Sequence, residues 1–188
     1  WQGANGRSID SIISDVNSFT AHQNELVVLN LSHSLNTDVG NNSYRPFNQD
    51  EWNRLFAKLN AVGKRYVSAD ANVDLTSKRL SDFISGGAAV LLIFEDTGVD
   101  LGSYAGKGFF QYASFNAYNS YSDTNDLDTM ANDQISKMKQ QSGKSYFLLS
   151  WTLTQSATQA STCVLGTASS IKTLANQADQ NLNAKLYP

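Results

Sequence analysis

The sequence predicts an α/β fold whose main strands run parallel. Three observations carry that reading. Residues 26–31 (LVVLNL) are a short Val/Leu run with turn residues on both sides, the pattern of a strand buried on both faces, and residues 88–94 (AAVLLIF) are a second strong strand. Segments with apolar residues at a helical period surround these runs. The spacing between successive runs leaves room for the helical crossovers that parallel strands need.

The elements follow in order. Ser8 is suited to an N-cap, and Ile9, Ile12, Ile13, Val16 and Phe19 continue at helical spacing, which predicts a helix over 9–21. Gln23 and Asn24 break it before the 26–31 strand, and a polar loop fills 34–48. Asn48 with Glu51 has the spacing of a capping box, with Asn in place of Ser or Thr. Trp52, Leu55, Phe56, Leu59 and Val62 form the stripe of a second helix, stopped by Gly63. Arg65-Tyr66-Val67 reads as a stub of extended chain, and Leu80, Phe83 and Ile84 mark a short helix before Gly86-Gly87. The 88–94 strand follows, then a Gly-rich loop over 99–108 and an aromatic stretch, 109–119, read as an irregular third strand. Thr124, Asn125 and Asp126 supply caps for a helix over 126–141 with Leu127, Met130, Ile135 and Met138 inward. Residues 146–153 (YFLLSWTL) are expected as the fourth strand, and a last helix over 168–186 carries Ile171, Leu174, Ala178 and Leu182 on one face. No long linker, repeat or low-complexity tract interrupts the chain, so residues 1–188 read as a single domain.

Composition excludes several function classes. The chain has 188 residues, 41% hydrophobic and 16% charged, enough for a sizeable core. A net charge of −3 and the absence of a Lys/Arg cluster exclude the basic footprint of a nucleic-acid binder. No apolar run reaches the roughly 18–20 residues of a transmembrane helix. One cysteine, Cys163, rules out an intrachain disulfide and a CxxC site, and is read as an inert thiol. Two histidines leave little room for a His-rich metal centre. Gly98, Gly102, Gly106 and Gly108 form neither a P-loop nor a GxGxxG, and no GxSxG occurs. The polar content is rich in Asn, Ser, Thr and Gln, a composition common in secreted proteins, so an extracellular location is expected. Of two sequons, Asn30 lies within a strand and is expected to be inaccessible, whereas Asn41 sits in a loop (GNNSY) and is the candidate glycosylation site.

In parallel α/β folds, sites gather at the carboxyl ends of strands. Four such ends are expected here: Ser32-His33-Ser34, Glu95-Asp96-Thr97, residues 116–119, and Trp151 to Gln155. His33 is either a general base or a loop residue satisfied by backbone. Glu95 and Asp96 are neighbours in extended chain and point to opposite faces, so at most one enters the mouth. Trp151 either stacks on a ring or packs in the core. His22, at the opposite end of a strand, is read as structural. A glycosidase with paired carboxylates would need an acid opposite Glu95, and Asp123, the nearest candidate, lies far along its loop. One oddity stands out. The first element is an amphipathic helix with no strand before it, and four strands make a narrow sheet for at least four helices. Further strands are therefore expected from cleaved segments or another chain.

Four stretches, taken in order, resemble one family. SIDSIISDVNSFTAHQNELVVLNLSH resembles the helix–strand unit of phosphatidylinositol-specific phospholipase C-like phosphodiesterases. GGAAVLLIFEDTG resembles the next barrel strand, FNAYNSYSDTNDLDTMANDQISKMK the strand with a D-x-Y signature and its helix, and YFLLSWTLTQ the strand after that. The likeness covers nearly the whole chain and is closest to secreted fungal members. It implies a partial TIM-type (β/α) barrel with parallel strands, missing the first strands and the last one, and a phosphodiester-cleaving hydrolase of lipid metabolism. In the family one His takes the proton of the inositol 2-hydroxyl, which attacks phosphorus. A second His protonates the leaving oxygen, and a cyclic phosphate forms. Both histidines would precede Trp1, so the partner expected is the remainder of the same precursor or a complementary chain.

Carried onto this chain, the family pattern is changed. Ser32 stands where the family has Lys or Glu, with His33 next to it; Glu95 stands where bacterial-type members have a substrate-binding Arg; Asn116 replaces the Asp of D-x-Y, while Tyr118 is retained. The resemblance makes Ser32, Asn116, Tyr118 and Trp151 the candidates for binding a phospholipid headgroup or sugar phosphate. Glu95 and His33 are the weak catalytic candidates. No metal site and no cofactor are expected: Ca²⁺, used by the animal branch, would find its ligand positions unmatched. The alternative is a catalytically inactive barrel that serves as a binding or structural protein.

Overall fold

The computed structural model describes residues 6–36, 45–96, 98–115, 117–156, 158–159 and 171–182. They form a mixed α/β structure divided into two compact units, Trp1–Asn116 and Ala117–Pro188.

The first unit starts with helix α1, Ile9–His22, whose N-cap Ser8 accepts the Ser11 N–H at 3.1 Å. Such a cap is worth about 1 kcal/mol. Ile13, Val16 and Thr20 are the residues it buries. Strand β1, Leu26–Leu31, follows, then a short antiparallel ribbon of β2, Leu35–Asn36, and β3, Arg45–Pro46. Helix α2, Gln49–Leu59, begins with the expected capping box: Glu51 N–H donates to the Asn48 side chain and Asn48 N–H to the Glu51 carboxylate. After the short helix α3, Leu80–Ile84, come β4, Ala89–Phe94, and β5, Phe109–Gln111.

β1, β4 and β5 make a parallel sheet in that order, with Leu26 opposite Ala89, Leu31 opposite Phe94, and Leu92 opposite Phe109. All six β4 residues are buried, because alternate side chains fill two different cores. Val90, Leu92 and Phe94 pack with Trp52, Phe56, Leu59 and Phe109; Ala89, Leu91 and Ile93 pack with Leu75, Phe83 and Phe110. Aromatic edges interlock in the first core: Phe94 lies 5.6 Å from Trp52 and 5.2 Å from Phe56, both T-shaped. Arg65 ties the lower end of this core. Its guanidinium donates to the carbonyls of Asn60, Val62 and Lys107 and sits 5.8 Å from the Phe109 ring centroid.

β1 departs from expectation. Its apolar run predicts burial on both faces, yet Val28 is 37% exposed and Asn30 is exposed. Among the described residues its one neighbour is β4. Val27, Leu29 and Leu31 reach the first core, but on the other face only Leu26 reaches the second.

In the second unit, β6 (Ala117–Asn119) and β7 (Tyr146–Leu148) pair in parallel, with α4 (Leu127–Gln141) between them in sequence. Asp126 caps α4 by accepting the Thr129 N–H at 2.7 Å. Helix α5, Ile171–Leu182, contributes Leu174 and Ala178 to a core with Met130, Ala131 and Leu153. Gln134 is fully buried in this unit: its amide donates to the Ser120 carbonyl (2.8 Å) and the Ser122 hydroxyl (3.0 Å), and its carbonyl accepts the Ser150 N–H (3.1 Å).

That contact explains why the fourth strand is shorter than expected. The ladder stops at Leu148, and the next donors go elsewhere: Ser150 to Gln134, and Thr154 to the Thr124 carbonyl at 2.8 Å. Likewise the aromatic 109–119 stretch is not one strand. A 3-10 turn, Tyr112–Phe115, separates β5 from β6 and packs Tyr112 and Phe115 on the second core. The described strands form no closed barrel, and no described helix is long and apolar enough to cross a membrane.

Candidate functional site

The register of β1 on β4 fixes the candidate site. Leu31 faces Phe94, so Ser32 and Glu95 leave the two strands side by side, and Glu95 N–H still donates to the Leu31 carbonyl at 2.9 Å. One residue earlier, Asn30 sits on the face of β1 opposite Leu29 and Leu31. Its amide donates to Glu95 Oε1 at 2.5 Å, across 65 residues of sequence. His33 takes a left-handed backbone (φ 54), and its Nδ1 lies 3.0 Å from Ser32 Oγ. Asn30, Ser32 and His33 are exposed and Glu95 is half-buried. Four hydrogen-bonding side chains thus share one carboxyl edge of a parallel sheet.

Asn30 is the member that sequence reasoning set aside. As a strand residue inside an apolar run it was expected to be inaccessible. Alternation from Glu95, carried across a parallel register, is the signal that finds it.

Glu95 and Asp96 separate as alternation predicts. Glu95 turns to Asn30. Asp96 instead lines a cleft of about 280 Å³ with Ser34, Phe47, Gln49, Trp52 and Val99. In α2, between Gln49 and Trp52 in sequence, Glu51 accepts both Arg45 guanidinium nitrogens (2.6 and 2.9 Å) and the Asn36 amide (2.6 Å). These donors, Arg45 foremost, hold the Glu51 carboxyl down at a pKa of about 2.

The other candidates fall elsewhere. Tyr118 belongs to the second unit, where its ring stacks on Phe147 with centroids 5.9 Å apart. Trp151 packs against the Met130 and Leu153 core, and its buried Nε1 has no hydrogen-bond partner among the described residues. Asn116, Asn41 and Cys163 lie outside the described residues. Among the described residues no three His, Cys, Asp or Glu side chains gather as a metal centre would require.

Chemically, the edge offers a carboxylate held by an amide, a hydroxyl and an imidazole. Such groups accept and donate hydrogen bonds to hydroxyl-bearing ligands. They supply no fixed positive charge for a phosphate. No family model, no curated protein and no solved structure matches the chain.

Proposed function

We propose that this chain forms the middle of a secreted phosphodiesterase barrel of the phosphatidylinositol-specific phospholipase C type, cleaving its substrate through a cyclic phosphate. The observation that carries the reading is the Asn30–Glu95 hydrogen bond at the carboxyl ends of two parallel strands, beside Ser32 and His33. That is where α/β folds assemble their sites. In this reading Glu95, fixed by Asn30, accepts a ring hydroxyl of the headgroup, and Ser32 and His33 border the same ligand. In this proposal the two proton-transferring histidines and the charge that meets the phosphate come from strands outside the chain, along the edge of β1 that has no strand neighbour among the described residues.

The test is product identity. Native protein is incubated with phosphatidylinositol vesicles and followed by ³¹P NMR. A cyclic inositol phosphate is expected, and Glu95→Gln and Asn30→Ala should each lower kcat/KM by roughly ten- to a hundredfold, the loss of one charge-assisted hydrogen bond. Phosphomonoester as the first product, or full activity in both variants, would remove the proposal.

A second reading is a barrel that binds without turnover. Glu95 favours it, because an acid replaces the Arg that meets the substrate in bacterial-type members of the resembled family. Saturable binding of inositol phosphate with no product would select it.

A further inference from the structure

The carboxyl edge of β1 and β4 holds one carboxylate in place. Glu95 follows Phe94 as Ser32 follows Leu31, one step beyond the last pair of the β1–β4 register. The Asn30 amide fixes Glu95 Oε1 at 2.5 Å. The second oxygen, Oε2, takes no hydrogen bond from any described residue, and Glu95 is only half-buried.

The fixed charges around it have one sign. The described chain at this end comprises residues 32–36, 45–51, 95–96 and 98–102, and its acids are Asp50, Glu51, Glu95, Asp96 and Asp100. Gln49 joins two of these segments by accepting the Asp100 N–H at 3.1 Å. The one Lys or Arg among them is Arg45, and Glu51 already accepts its two terminal guanidinium nitrogens, at 2.6 and 2.9 Å. Ser32 and His33 add a hydroxyl and an imidazole, with His33 Nδ1 3.0 Å from Ser32 Oγ.

A carboxylate accepts hydrogen bonds and has none to give, so the ligand group that meets Glu95 must be a donor. A ring hydroxyl is one. A phosphate ester in its place offers acceptor oxygens and about −1.5 to −2 charge at neutral pH. It would meet Glu95 as a like charge at contact distance, with no cation of this edge to offset it.

We propose that Glu95 sets which ring this edge admits: one whose hydroxyl here is free, not phosphorylated. The inference deepens the phosphodiesterase reading and rests on it. In that reading the scissile phosphate meets charge from outside the chain, and Glu95 rejects a further phosphate on the ring. Asn30 is the positioning residue, because its amide occupies Oε1 and leaves Oε2 for the ligand.

The experiment is a ¹⁵N-edited NMR titration of the native protein at pH 8, above the ordinary imidazole range, so that fixed charges are compared. The probes are myo-inositol 1-phosphate and myo-inositol hexakisphosphate, which keeps no ring hydroxyl. Shifts are read at Asn30, Ser32, His33 and Glu95. The 1-phosphate should bind there roughly tenfold or more tighter than the hexakisphosphate. Glu95→Gln, which keeps the shape and removes the charge, should cut that preference roughly tenfold or more. Ser32→Lys, at an exposed position, sets an ammonium beside Glu95 and should cut it as well. Equal binding of the two probes to the native edge, or a preference unchanged in either variant, would overturn the inference and leave the phosphodiesterase reading standing. A 1-phosphate that shifts none of the four residues would remove that reading and this inference with it.

Discussion

Replacing Gln134 tests the clearest buried polar device in the molecule. In Gln134→Ala three hydrogen bonds disappear. The Ser150 N–H loses its partner in a buried place, at about 1–3 kcal/mol, and removal of the side chain leaves a void where Gln134 was fully enclosed. Ser122 retains the Asp133 carboxylate at 2.6 Å, so its hydroxyl is not orphaned. The sum is about 2–4 kcal/mol, or roughly 5–15 °C in Tm for a chain of this size. Gln134→Met refines the estimate, because it refills the volume but cannot accept the Ser150 N–H as well. Met should recover part of the loss and leave about 1–3 kcal/mol. Urea unfolding followed by circular dichroism and by Trp fluorescence gives both numbers. If Ala and Met were each within 0.5 kcal/mol of the wild type, the idea that Gln134 replaces the missing ladder beyond Leu148 would be wrong.

Further outcomes follow from other sites. The folded pKa of Glu51, about 2, lies below its ordinary 4.5, so its contribution is complete above about pH 4.5 and disappears as the pH falls through 2. Thermal melts from pH 2 to 7 should show this acid limb, and Glu51→Gln should flatten it; an unchanged limb would contradict the Arg45–Asn36–Asn48 assignment. Gly108 has φ +92, and a Cβ there would lie 2.5 Å from Arg65 Cβ, so Gly108→Ala should cost about 2–5 kcal/mol by denaturant titration. Phe94→Ala should cost about 3–5 kcal/mol, whereas Val28→Ala, on the open face of β1, should cost less than about 1. Equal costs at the two positions would mean that β1 is covered in solution.

The parts legible in the sequence were those set by local chemistry. Strands 26–31 and 89–94 lie within the two apolar runs, in which Asn30 is the one polar residue, and Asn48 with Glu51 announces the start of α2 as a capping box. The separation of Glu95 from Asp96 follows from alternation alone. What failed depends on neighbours the sequence does not display. Burial of β1 on both faces presumed coverage that only Leu26 finds on one side, and this hid Asn30. The apolar Trp151 and Leu153 extend the expected fourth strand to 153, past its observed end at Leu148. Apolarity reports burial, whereas a strand needs ladder partners, and Gln134 had taken the Ser150 donor. Ser34 and Asp96 lie 62 positions apart and border one cleft beside α2, and no spacing rule pairs them.

The central claim is that the carboxyl edge of β1 and β4 meets the ligand. Its most direct measurement is a chemical-shift titration of the native protein with myo-inositol 1-phosphate. Saturable shifts confined to Asn30, Ser32, His33 and Glu95, abolished by Glu95→Gln, are the expected result. Shifts that avoid those four residues, or none at saturating ligand, would place the site elsewhere and end the assignment.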